Sequence, residues 1–219
     1  MKELKAIRGK YIIPRLVEEG EHEHQDFKFA INDVAKIAHS ISAFANHDGG
    51  RLVIGVKDNG NIVGVRNDED VYVVEQAAQM FCKPPQPIKA TIYSVEGAIV
   101  VCVDIAKSSR RPVMARENNG EWKAYYRVND ENIVVPTVMI NAWRKRDGNQ
   151  GGLVSLNSAE STLLNFLDQY GEATVDDYVK GAHLSRATAE EVVVRLYSMQ
   201  IIDFSYRGGE FKIVRAAED

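Results

Sequence analysis

Apolar residues recur at two different spacings along this chain, and the switches between them outline its elements. Over residues 33–46 the period is helical, with Ile37, Ile41 and Ala45 and neighbouring Ala38 and Phe44 on one stripe. Asp48-Gly49-Gly50 breaks that helix, because glycine accepts the positive φ of a helix C-cap at little steric cost. Leu52, Val53, Ile54 and Val56 then make a short strand-like run over 51–57. Asp58-Asn59-Gly60-Asn61 is a hairpin signal before Ile62 and Val63. A buried strand thus ends where polar groups and open backbone gather.

The flanking segments read in the same way. Residues 3–19 carry an imperfect helical stripe of Leu4, Ile7, Tyr11, Ile12 and Leu16, which Pro14 interrupts or restarts and Gly20 ends. His24–Ala30 alternates as a strand, with Asp26 and Lys28 on one face and Phe27 and Phe29 on the other. A helix is expected over Glu69–Phe81, stopped by Pro84, Pro85 and Pro87. Ile88–Val95 and Ala98–Ile105 form a hairpin about Glu96-Gly97. Val113–Arg116 and Trp122–Arg127 form short strands about Asn118-Asn119-Gly120, and Pro136–Lys145 is a helix opened by proline.

Arg146–Gly152 is polar and glycine-rich with no apolar period, which makes it the expected linker. The domains expected are 1–147 and 153–219, joined by 148–152. In the second, an amphipathic helix over Ser158–Tyr170, capped by Ser158, is followed by helices over Thr174–Ala182 and Ser185–Gln200. Ile201–Ser205 and Glu210–Val214 close it as a strand pair about Arg207-Gly208-Gly209. Three helices and a two-stranded wing are the winged-helix pattern, with the third helix as potential major-groove reader. The fold class is therefore α/β (α+β), a mixed-sheet domain followed by a small winged helix-turn-helix domain.

Composition narrows the function classes. With 219 residues, 45% hydrophobic and 26% charged, the chain has an ordinary soluble composition. Cys82 and Cys102 are too few and too far apart for a disulfide framework or a cysteine zinc site, so a reducing, cytoplasmic setting is expected. The first residues lack the apolar core of a signal peptide, and no apolar run reaches the ~18 residues of a membrane helix. The net charge of -4 is uneven: residues 151–219 carry six Lys/Arg against eleven Asp/Glu, whereas residues 1–150 carry 21 against 20. A nucleic-acid surface must then be a local patch.

Candidate patches are few. Lys107, Arg110 and Arg111 form a basic loop, and Arg116, Lys123 and Arg127 are interleaved with Trp122, Tyr125 and Tyr126 on the late strands. Cations can meet phosphates while aromatic rings stack on unpaired bases; equally, Tyr125 or Trp122 can fill the core and Arg127 can make a structural ion pair. In the second domain Ser185, Arg186 and Thr188 open the third helix and Arg207 lies in the wing, opposed by Glu190 and Glu191. That acidic balance suits dimerisation or protein docking as well as DNA reading. His22, His24 and His47 are candidate metal ligands without an HExxH or paired His/Cys spacing, and surface or hydrogen-bonding roles serve them equally. The Gly49-Gly50 turn is a candidate phosphate cradle through its amides, but no GxxxxGK[ST] accompanies it, so ATP is not expected.

The Glu21…Asp26-Phe27-Lys28 strand, the SAFANHDGGRLVIGVKDNGNIVG core and the YYRVNDENIVVP tail resemble the Schlafen/AlbA family of DNA-binding domains, once filed as divergent AAA proteins. The resemblance covers roughly residues 10–145. It implies an α/β fold and, in many bacterial members, a transcriptional-regulator or ATP-binding label. The family pattern is an acid, four residues, then Glu-Phe-Lys; here Glu21 and Lys28 match, while Asp26 shortens one carboxylate arm by a methylene. In vertebrate relatives that cut structured RNA, two such acids and a third after the Gly-Val strand form the nuclease centre. That third acid falls on Asp58, so Glu21, Asp26 and Asp58 are the candidate catalytic and metal-binding trio, with Mg²⁺ or Mn²⁺ as the implied ion. Asp58 also suits the first position of a turn, and Lys28 suits either phosphate or an ion pair. The reading adopted is a DNA-binding transcriptional regulator, expected as a homodimer, with DNA preferred over RNA and no membrane partner. A divalent-metal ribonuclease and a protein-interaction module are the alternatives.

Overall fold

The structure is a computed structural model that describes residues 6–29, 31, 33–65, 69–146 and 156–217. It divides into two compact units, Met1–Val135 and Pro136–Asp219. The fold is α+β, with seven helices and three sheets among the described residues.

The first unit contains β1 (Ile7–Arg8), α1 (Ile12–Glu19), β2 (Gln25–Lys28), α2 (Val34–Asn46), β3 (Gly50–Ile54), α3 (Glu69–Met80), β4 (Cys82–Lys83), β5 (Ile88–Val95), β6 (Ala98–Ile105), β7 (Met114–Arg116), β8 (Trp122–Val128) and β9 (Glu131–Val134). One sheet has the order β1-β5-β6-β3-β2 and another β4-β7-β8-β9. The stripe expected as one helix over 3–19 is split: Ile7 and Arg8 pair with β5, and the helix begins at Ile12. Pro14 then falls in the first turn, where its missing N–H costs no helical bond. The hairpin expected about Asp58 reduces to one bridge, Val56 to Ile62, because β3 takes β2 and β6 as its neighbours.

Two cores flank the first sheet. Ile37, Ile41 and Phe44 of α2 pack with Leu52, Ile54, Val101 and Val103 on one face. On the other, Ile13 and Leu16 of α1 cover Phe27, Val53, Val100 and Cys102. Helix α2 is buried from Ser40 through Asn46, so its polar side chains need partners. Ser42 and Asn46, one turn apart, find them where the β7–β8 ladder would otherwise continue past Met114 and Ala124. Ser42 Oγ donates to Val113 O (2.7 Å) and accepts from Tyr125 N–H (3.0 Å). Asn46 Nδ2 donates to Val113 O (2.9 Å) and Tyr125 O (2.8 Å), and its Oδ1 accepts from Val113 N–H (2.8 Å). The helix is thereby spliced into the sheet.

The second unit contains α4 (Thr137–Arg146), α5 (Ser158–Tyr170), β10 (Glu172–Ala173), α6 (Val175–Ala182), α7 (Arg186–Ser198), β11 (Ile202–Arg207) and β12 (Glu210–Arg215), with sheet order β10-β12-β11. Helix α4 packs on α7, so the compact units part at Val135, before this helix rather than after it. The linker expected at 148–152 lies outside the described residues. Asn157, not Ser158, caps α5: its side chain accepts from Glu160 N–H (2.9 Å) while Glu160 Oε2 accepts from Asn157 N–H (2.8 Å), a complete capping box.

Candidate nucleic-acid interface

The alternation of β2 places Asp26 and Lys28 on one face, as the sequence pattern requires. Lys28 Nζ lies 2.7 Å from Asp26 Oδ2, Ser40 Oγ donates to the same oxygen (3.2 Å), and Arg127 Nη2 lies 3.5 Å from Oδ1. Asp26 is 4% exposed and Arg127 1%. Arg127 directs its remaining donors to the carbonyls of His22 and Gln25 and to Asn132 Oδ1, with its guanidinium over the Phe44 ring at 5.1 Å. It is a structural ion pair, turned away from solvent. Glu21 Oε1 accepts from Phe27 N–H (2.9 Å), and Lys28 Nζ donates to Phe27 O (3.0 Å). These bonds and the Arg127 bond to Gln25 O occupy the outer edge of β2, closing it to another strand.

Burial first, and then the adjoining Asp26 carboxyl, raise the pKa of Glu21 above its ordinary value, against the opposing pull of the Phe27 N–H. Glu21 and Asp26 therefore meet. Asp58 stands exposed in the turn after Val56, and among the described residues no three His, Cys, Asp or Glu groups are placed to hold a metal ion. The trio does not fit the Mg²⁺ or Mn²⁺ site that the resemblance implies, since its best-buried oxygens already serve Lys28, Ser40 and Arg127.

The basic loop is seated firmly. Ser108 N–H donates to Ala45 O (2.8 Å), Arg111 Nη1 donates to Asn46 O (3.3 Å), and Lys107 Nζ pairs with Asp48 at 2.6 Å. The Lys107 bond, above all, holds the Asp48 carboxyl below its usual range. Arg110 is exposed and makes no ion pair among the described residues. Further on, Arg116 and Trp122 face each other across β7 and β8, Trp122 being exposed, while Lys123 lies 3.9 Å from Glu121. Tyr125 is buried, its hydroxyl donating to Glu117 (2.6 Å); burial foremost pushes its pKa up.

The glycine turn has a packing origin. Gly49 N–H donates to Phe44 O (2.9 Å) as the helix stop, its φ is +80°, and a Cβ there would come within 2.8 Å of Ile105 O. A Cβ on Gly50 would strike the Phe44 ring. The Gly49 amide, being engaged in that bond, is not a phosphate donor. The histidines do gather: His22 to His24 is 6.2 Å between ring centres, His24 to His47 5.4 Å, and His47 to Tyr126 5.0 Å. Burial lowers the pKa of His47.

In the second unit the candidate residues are engaged locally. Ser185 caps α7, its Oγ accepting from Thr188 N–H (3.1 Å), and the Ser185 and Thr188 hydroxyls share a hydrogen bond of 2.8 Å. Arg186 pairs with Asp176 and with Glu190 at 3.3 Å, and Arg207 with Glu172 at 3.4 Å. Pattern reading missed Ser40, Ser42, Asn46 and Asn132 as a group. The signal was available in part: a helix without a long charged side chain from Ile37 to Asn46 is buried all round, and its polar residues at i and i+4 must be bonded to something.

No described helix is long and apolar enough to cross a membrane. No curated protein matches the chain. Among solved structures it is similar to the DIP2311 protein from Corynebacterium diphtheriae, at 18% identity and a TM-score of 0.44 over 83% of this chain and 33% of that one. This chain thus spans about a third of the length of that protein. It is also similar to the N-terminal domain of an ATP-dependent DNA helicase RecG-related protein from Nitrosomonas europaea, at 20% identity and a TM-score of 0.41 over 57% of this chain and 95% of that domain. The family described as Schlafen, AlbA_2 matches residues 21–136, more than half of the sequence. The chain belongs to the Schlafen, AlbA_2 family.

Proposed function

We propose that the protein is a DNA-binding regulator whose first unit grips the phosphate backbone through the basic loop Lys107–Arg111. The observation that carries this reading is the seating of the loop. Its backbone and one guanidinium are tied to the last turn of α2 at Ala45 and Asn46, which are themselves buried, so its cations are presented without a large ordering cost. Lys107 and Arg110 are exposed, and across the hairpin Trp122 offers a ring for stacking beside Arg116. The family resemblance to DNA-binding domains supports the same reading.

The second unit runs helix, strand, helix, helix, strand, strand from α5 to β12, an order that supports the winged-helix reading. Its paired cations favour docking of a second copy over contact with phosphate. The test is an electrophoretic shift with duplex DNA and structured RNA across a salt series, with and without Mn²⁺. The reading expects salt-sensitive DNA binding without cleavage, weakened in the Lys107→Ala/Arg110→Ala double variant. Binding that ignores the double variant contradicts it. Mn²⁺-dependent RNA cleavage lost in Asp58→Ala replaces it with the ribonuclease.

A further inference from the structure

Helix α1 ends at Glu19, and beyond it the face of the first sheet that this helix covers opens into a cleft of about 660 Å³. Four strands contribute to its floor in register. Lys89 of β5 lies opposite Asp104 of β6, Asp104 opposite Arg51 of β3, and Arg51 opposite Gln25 of β2. Side chains on one face of neighbouring strands stand close together, so this is a fixed row of two cations about one carboxylate. Arg51 Nε donates to Asp104 Oδ1 at 2.8 Å. Lys89 is exposed and makes no ion pair among the described residues. Gln25 belongs to the frame, its amide donating to Leu16 O (2.6 Å) and Gly20 O (2.8 Å).

The remaining acids of the lining are balanced: Glu19 by Arg15 at 3.0 Å and Asp48 by Lys107 at 2.6 Å. One positive charge is left over on the floor, at Lys89. The wall carries two histidine rings. His22 Nδ1 accepts from His24 N–H (3.1 Å), which leaves the proton of the neutral ring on Nε2 as a donor. His24 Nδ1 donates to Gly49 O (3.1 Å), and its Nε2 lies 3.6 Å from Glu23. A surplus cation on rigid strands, a second cation beside it, two flat rings and a volume within the usual range for small-ligand sites together describe one kind of guest.

We propose that this cleft binds a nucleotide through its phosphate, with Lys89 and Arg51 on the phosphate oxygens and the His22 and His24 rings beside the sugar and base. The phosphate is carried either by a free nucleotide or by the 5′ end of a strand. The site adjoins the basic loop at the Asp48–Lys107 pair but draws its phosphate contacts from Lys89 and Arg51, so it stands whether or not Arg110 binds DNA.

The experiment is calorimetric titration of the full chain with AMP, adenosine and inorganic phosphate. AMP is expected to bind at one site, inorganic phosphate to compete with it, and adenosine to give no heat. Lys89→Ala, an exposed change that leaves the far-ultraviolet circular dichroism intact, is expected to weaken AMP about tenfold by removing a charge-assisted hydrogen bond. Arg110→Ala is expected to leave AMP binding unchanged, so failure of the cleft and failure of the basic loop are read separately. Displacement of AMP by a 5′-phosphorylated oligonucleotide, but not by its 5′-hydroxyl twin, supports the strand end; displacement by neither supports the free nucleotide. Absence of AMP binding at millimolar concentration, or AMP binding indifferent to Lys89→Ala, overturns the proposal.

Discussion

The basic loop of the first unit and the α6–α7 corner of the second carry cations of similar exposure, yet they treat them differently. Around the loop, Lys107 pairs with Asp48, Arg111 is bonded to the Asn46 carbonyl, and Arg110 is exposed and makes no ion pair among the described residues. In the second unit Arg186 has two carboxylates, Asp176 and Glu190, and Arg207 shares Glu172 with Lys212. Surface ion pairs are worth only about 0–1 kcal/mol each, so stability does not explain the contrast. What differs is the field met by an approaching phosphate. At the loop it finds the exposed Arg110 on a fixed backbone; at α7 it must displace acids that remain beside it and repel it. Helix α7, expected from the sequence as a groove reader, thus has its first arginine neutralised by neighbouring acids.

The largest expected effect tests the frame beneath the loop. Asn46→Ala leaves Val113 N–H and Tyr125 O without their buried partner and is expected to cost about 3–5 kcal/mol in urea unfolding. The destabilisation should be confined to the first unit. Trp143, 1% exposed, lies in the second unit, so in a Trp122→Phe background its fluorescence should report an unchanged transition there, while trypsin cuts faster at Lys107 and Arg110. Lys107→Ala/Arg110→Ala should lower the slope of log affinity against log salt by about 0.9 for each phosphate left unneutralised, with unfolding unchanged within about 0.5 kcal/mol. Arg186→Ala/Arg207→Ala should shift that slope by less than half as much; an equal shift would erase the distinction between the units.

A smaller effect concerns Glu21. Its raised pKa means that the folded chain keeps a proton which the unfolded chain releases at the ordinary value of 4.5. Stability from this group therefore declines as pH rises from that value through the raised one, then levels off. Glu21→Gln retains an acceptor for Phe27 N–H and removes the titration, so thermal unfolding should be flatter over that window and about 1–2 °C higher at pH 8. A variant that melts lower at pH 8, with the same slope, would show that the carboxylate itself is needed.

Periodicity made much of this molecule legible. Helix α2, the β5–β6 hairpin and helices α5 to α7 lie where apolar spacing and turn residues place them, because each buries one face against a core. Short pairings escaped it. Ile7–Arg8, Glu131–Val134 and Glu172–Ala173 are strands only because a neighbour offers an edge, and no local pattern of two to four residues records that. The family motif led to Glu21, Asp26 and Lys28, and the structure brings them together. Their partners Ser40, Arg127 and Asn132 come from distant segments, and the row of Lys89, Asp104 and Arg51 depends on strand register, which a single sequence does not state.

If the basic loop meets phosphate, the exposed Arg110, which makes no ion pair among the described residues, carries the largest share of that contact. Duplex DNA affinity measured for wild type and Arg110→Ala from about 50 to 200 mM salt tests it most directly. The account predicts a shallower slope for the variant, by about 0.9, with curves converging at high salt. Parallel curves of equal slope would contradict it.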